Sequence, residues 1–146
     1  MRAYVAASLV IFAAGSAAAD ACYSRTYSDQ HMAKNPDQNV QVLSISFHTD
    51  GALTAAVSAR FRGDDATYRN TFGCAEPPWV DEGVWLCTDG NFFMTKGYGS
   101  RSMLVYTDGG FIVHGPEGAE PRWVIDEDTT ESIFKLFEAT ATTCEE

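Results

Sequence analysis

Residues 43–62 read LSISFHTDGALTAAVSARFR, and the fold is decided there. Leu43, Ile45 and Phe47 alternate with Ser44, Ser46 and His48, the two-residue period of a strand with one buried face. Asp50-Gly51 supplies hairpin turn chemistry. Leu53, Ala55, Val57, Ala59 and Phe61 then alternate with Thr54, Ala56, Ser58, Arg60 and Arg62 until Gly63-Asp64-Asp65 ends the second strand.

The same punctuated alternation runs on to residue 125. It predicts further strands over Ala66 to Phe72, Val84 to Thr88, Phe92 to Lys96, Ser102 to Thr107, Phe111 to His114 and Arg122 to Ile125. Asp89-Gly90-Asn91, Gly97-Tyr98-Gly99 and Asp108-Gly109-Gly110 are the turns between them. About eight short strands with such turns predict an all-β fold, mainly an antiparallel meander forming a small barrel or sandwich. Closing the sheet would also remove exposed edges. Residues 23–39 are polar; Asp29 to Lys34 predicts a helical turn ended by Asn35-Pro36. Near the other end the period changes. Asp128 with Glu131 fits a capping box, and Ile133, Phe134, Leu136 and Phe137 recur at helical spacing, which predicts one short C-terminal helix carrying Cys144.

Composition bounds the rest. The chain has 146 residues, 45% hydrophobic and 12% aromatic, enough for one core and too few for two ordinary domains. Ten Lys and Arg against twenty Asp and Glu give a formal charge of −10, which disfavours nucleic acid and anionic membrane surfaces as partners. Residues 1–19, MRAYVAASLVIFAAGSAAA, read as a signal peptide: Arg2, an apolar run from Val5 to Ala14, then Ala17-Ala18-Ala19. That run is too short to span about 30 Å of hydrocarbon. Cleavage after Ala19 removes only one charged residue, leaving residues 20–146 as a single mature domain with a charge of −11 and no membrane span. Asp20 breaks a lipobox before Cys22, and lipidation there would strand an odd number of thiols. The expected location is the periplasm of a Gram-negative bacterium, or outside the cell.

Four cysteines in an exported chain read as two disulfides, for which three connectivities exist. Cys22 lies near the start of the mature chain and Cys144 near its end, and the ends of one domain often meet. Cys74 and Cys87 bracket a loop holding Pro77, Pro78 and Gly83. The expected pairs are therefore Cys22 with Cys144 and Cys74 with Cys87. No CxxC or close Cys/His cluster is present to suggest a zinc or redox site.

Motifs that carry catalysis are missing. There is no GxSxG, no HExxH and no phosphate-binding glycine loop, so no catalytic residue, metal ligand or cofactor is assigned. His31, His48 and His114 could each act as a base, but they are scattered and read as surface residues. Asp64-Asp65, Asp81-Glu82 and Asp126-Glu127-Asp128 offer calcium-type oxygens without an EF-hand pattern and read as turn acids. Trp79, in the loop pinned between Cys74 and Cys87, is the candidate recognition residue, because exposed aromatic residues dominate interfaces. Trp85 and Trp123 fall in strand patterns and are expected in the core.

The stretch Tyr27-Ser28-Asp29-Gln30-His31-Met32-Ala33-Lys34-Asn35-Pro36-Asp37-Gln38 resembles the "Y…HLA.HP.Q" segment of a family of small exported alphaproteobacterial proteins. Phe61-Arg62-Gly63 and Cys87-Thr88-Asp89-Gly90 look like later landmarks of that family. The resemblance implies an exported protein and no particular activity. Met32 and Asn35 stand where the family has Leu and His, and Asn35 thereby removes one histidine that a metal or catalytic role would use. A looser similarity, of architecture alone, is to periplasmic lysozyme inhibitors, which are small disulfide-stapled β-barrels.

These readings favour an exported, monomeric, non-catalytic binding or inhibitor module. Its acidity would steer a basic partner such as a cell-wall hydrolase. The alternatives are a structural envelope protein, a barrel carrying a small apolar ligand, and, last, an enzyme.

Overall fold

The alternation in residues 43–62 becomes two paired strands in the computed structural model, which describes residues 21–75, 84–87, 92–96, 101–108, 110–124 and 131–145. In chain order the elements are β1 (Ala21–Thr26), α1 (Asp29–Lys34), β2 (Val40–His48), β3 (Thr54–Phe61), β4 (Tyr68–Ala75), β5 (Val84–Cys87), β6 (Phe92–Lys96), β7 (Ser102–Asp108), β8 (Phe111–Val113), β9 (Arg122–Val124), β10 (Glu131–Glu138) and α2 (Ala141–Glu145). The β2–β3 register sets Leu43 opposite Ala59, Ile45 opposite Val57 and Phe47 opposite Ala55, so the apolar sets face the same side. Gly51 adopts a φ of 86° in the connecting turn, a conformation that penalises other residues.

Eight strands hydrogen-bond in the ring order β1-β10-β7-β6-β5-β4-β3-β2, all antiparallel. The result is a curled barrel. Among the described residues β4 meets β5 at Cys74–Cys87 and Ala75–Leu86, and β1 meets β10 at Tyr23–Glu138 and Ser24–Phe137, with the Ala139 N–H donating to the Cys22 carbonyl beside them. A disulfide lies at each of these pairings. Cys74–Cys87 links directly opposed residues of β4 and β5, while Cys22–Cys144 ties α2 across the outside of β1 and β2. Both pairings match the expected ones. Two disulfides fit an exported chain. Among the described residues no helix is long and apolar enough to cross a membrane.

The interior is filled. Leu43 and Ile45 of β2, Phe61 of β3, Met103 of β7 and Leu136 of β10 are almost fully buried. β8 and β9 form a separate hairpin that packs into the core. Its Phe111 is 1% exposed and meets Phe72 of β4 edge-to-face at 5.6 Å, and its Val113 and Val124 are completely buried. Phe47 lies between Tyr23, edge-on, and Trp85, with ring centroids 6.2 and 5.5 Å away. Trp85 is half-buried against the core, as expected.

Three expectations need correction. Glu131–Glu138 is a strand, and the short C-terminal helix lies later, at Ala141–Glu145. Phe134 and Leu136 point inward while Ile133 and Phe137 stay exposed, so apolar residues on both faces of a strand imitate helical spacing. Pairing with β7 at seven positions overrides that local pattern. The expected Asp128 cap lies outside the described residues. Trp123 is not in the core. It is 52% exposed because Val124 takes the inward position of the short β9. β1 had no predicted counterpart, since ACYSRT is too polar to read as a strand.

Candidate functional site

The segment linking β1 to β2, Tyr27 to Asn39, closes one end of the barrel with Tyr27 and Met32 in the core. Ser28 caps α1, its hydroxyl accepting from the His31 N–H at 3.2 Å, with Asp29 in the first turn and Lys34 in the last. One buried residue, Met32 at 4% exposure, docks this six-residue helix on the core. Arg62, just past β3, holds it there. The Arg62 guanidinium donates to the backbone carbonyls of Met32 at 3.0 Å, Asn35 at 2.8 Å and Gln38 at 2.9 and 3.2 Å. His31 shares a 2.9 Å hydrogen bond with Gln38 and stacks on Tyr27 at 4.8 Å. Asn35 is the helix C-cap and donates its side-chain amide to the His31 carbonyl at 2.8 Å. Arg62 thus acts as a clamp on backbone dipoles, and the segment it grips acts as a plug.

A second cluster fastens the β8–β9 hairpin to the same end. Asp64 accepts from the Ala66 N–H and the Tyr68 hydroxyl, both at 2.9 Å, and from Arg122 at 3.3 Å. The Arg122 guanidinium lies over the Phe61 ring, 4.0 Å from its centroid. Above all the Ala66 N–H, and then the Tyr68 hydroxyl, hold the Asp64 carboxyl below the usual carboxylate range. In turn the hydrogen bond to Asp64, with burial, pushes the Tyr68 phenol up. Gly115 makes close seating possible, because a Cβ there would lie 2.6 Å from the Tyr68 ring.

This anchoring turns one face of the hairpin into the core and the other into solvent. Phe111, Val113 and Val124 face in; Trp123 faces out opposite Ile112. Asn70 of β4 donates to the Ile112 carbonyl at 2.9 Å and holds that face in place. Trp123 is therefore an exposed aromatic residue on a rigid support, the arrangement typical of interface anchors. The sequence hid it, since a tryptophan inside an alternating strand reads as core. Trp79, the candidate chosen from the sequence, lies outside the described residues.

The outer face of β1 to β4 carries a polar groove of about 190 Å³. Register places Ser24, Ser44, Ser58, Arg69 and His114 in one continuous row across β1, β2, β3, β4 and the start of the β8–β9 loop. Ser24 and Ser44 share a 2.7 Å hydrogen bond. Thr143 of α2 walls the groove, Arg60 borders it, and Thr67 joins it to a more open cleft containing Arg69 and His114.

The three histidines are not brought together. His31 belongs to the plug, His48 pairs with Ser46 at 3.2 Å, and His114 bridges to Arg69 through the backbone. Among the described residues no three His, Cys, Asp or Glu side chains are grouped as a metal ion would require. Of the acidic clusters, Asp64 is engaged in the hairpin latch; Asp81-Glu82 and Asp126-Glu127-Asp128 lie outside the described residues. No family model, curated protein or solved structure matches this chain.

Proposed function

We propose that this chain is an exported, non-catalytic binding module of the periplasm that recognises a basic protein, such as a cell-wall hydrolase, through the outer face of the β8–β9 hairpin. The supporting observation is the hairpin itself. Its inner face fills the barrel with Phe111, Val113 and Val124, which argues against a lumen that carries an apolar ligand. Its outer face presents Trp123 at 52% exposure on that rigid base. The net charge of −10 would accelerate encounter with a cationic partner at low salt.

The test is titration of a basic muramidase with the mature chain in about 20 mM and about 300 mM salt, following both binding and lytic activity. A complex that weakens with salt is expected. Trp123→Ala should weaken it by about 2 kcal/mol with no change in melting temperature. Absence of a complex at low salt, or a Trp123→Ala protein that binds as well as the parent, counts against the reading.

A further inference from the structure

The groove on the outer face of β1, β2 and β3 has the wrong chemistry for a basic partner. The chain carries twenty acidic residues, yet none of the described residues lining the groove or its adjoining cleft is acidic. Arg60 and Arg69 are both there, with His114 beside Arg69. Cations concentrated on one concave patch of an acidic protein favour an anionic ligand. Hydroxyls of Ser24, Ser44, Ser58, Thr26, Thr67 and Thr143 supply most of the remaining groove lining, beside Val42 and Ala59. The Ser24 and Ser44 hydroxyls are hydrogen-bonded to each other; Ser44 is 4% exposed, so the half-buried Ser24 presents the pair to a ligand. Ser58 and Thr143 add further groups that both donate and accept.

We propose that this groove binds an acidic saccharide, with its carboxylate on Arg60 and its hydroxyls along the serine row. An acidic peptide is the less favoured ligand for a structural reason. Peptides usually bind sheets by adding a strand to an open edge, and the backbone of β2 and β3 under the groove is already paired on both sides. Cross-strand spacing of about 4.8 Å makes the row from Ser24 to His114 about 19 Å long, enough for more than one sugar ring. Neither Trp123 nor Ile112 lines the groove or its cleft, so the site stands whether or not a basic protein binds at Trp123.

The test is amide-resolved NMR titration of the mature chain with trigalacturonate, maltotriose and hexaglutamate as probes. Trigalacturonate should shift amides at Ser44, Ser58 and Arg69 and bind about tenfold or more tightly than neutral maltotriose. Arg60→Gln, at an exposed position, should remove most of that preference, and Ser58→Leu should block the groove by filling it. Trp123→Ala should leave trigalacturonate binding unchanged. No shift at the groove, equal binding of the neutral trisaccharide, or an unaltered Arg60→Gln response overturns the site. Equal or tighter binding of hexaglutamate overturns its assignment to saccharides.

Discussion

Replacing Arg62 with alanine should release the α1 plug. The guanidinium makes four contacts to three backbone carbonyls, of Met32, Asn35 and Gln38, between 2.8 and 3.2 Å. Hydrogen bonds to a charged group contribute about 1.5–3 kcal/mol each when desolvated. Only the contact to Met32 is partly buried, so the sum is discounted to about 2–3 kcal/mol. With a urea dependence of about 1–3 kcal/mol per molar, the midpoint should fall by about 1–2 M. The acceptors are neutral carbonyls, so the loss should be nearly the same at low and high salt, unlike that of an ion pair between exposed side chains. Arg62→Lys should restore only part of it: an ammonium can donate to the three carbonyls that Nη2 alone reaches, but the Nε–H contact to Gln38 and the rigid planar fork are lost. Hydrogen exchange gives the local readout: the His31–Asn35 amides should lose protection before those of β2 and β3. A loss under about 0.5 kcal/mol, or unchanged exchange in α1, refutes the clamp.

Further outcomes follow from the same contacts. Replacing Cys74 and Cys87 by alanine opens a loop of 13 residues and should cost about 3 kcal/mol, whereas removing Cys22–Cys144, which closes 122, should cost about 5; urea midpoints of the two double variants give the order. Phe111→Ala should destabilise by about 3–5 kcal/mol and strip protection from the β8–β9 amides, since its ring fills the barrel against Phe72. Asp64→Asn should lower stability at neutral pH. Because the folded-state carboxyl titrates below its unfolded value of about 3.9, its contribution is present above that value and disappears as pH falls through the folded one. Parent and Asp64→Asn midpoints, measured from neutral pH down to about pH 2, should therefore converge at the acid end.

Much of this was legible where local pattern and tertiary environment agree. Strands such as β2 and β3 have one buried and one polar face, so their alternation is clean. The Asp29–Lys34 helix was readable because Ser28 and Asn35-Pro36 mark its ends chemically. The cysteine pairs followed from position in the chain. β1 and β10 were misread for opposite reasons. Ser24 and Arg25 make β1 too polar, their roles being to bond Ser44 and to stack on Tyr27. β10 is too apolar, with Ile133 and Phe137 left on its outer face. The missed site has the same origin. Trp123 and Val124 are adjacent in a three-residue strand, and only the seating of the hairpin determines which of them faces water. The three serines of the row come from three strands, and nothing in a linear sequence aligns Ser24 with Ser58.

The β1–β10 pairing has a consequence for how the molecule comes into being. The strand that opens the barrel in sequence pairs with the one that completes it, at Tyr23–Glu138 and Ser24–Phe137, beside the Cys22–Cys144 disulfide. However the chain is delivered to its compartment, β1 has no partner on that side until nearly the last residues arrive. A truncated or stalled chain keeps an open strand edge, the feature most prone to pair with another molecule. The Cys22–Cys144 disulfide then ties the segment after β10 covalently onto β1 and β2, holding the first and last parts of the barrel side by side once they have met.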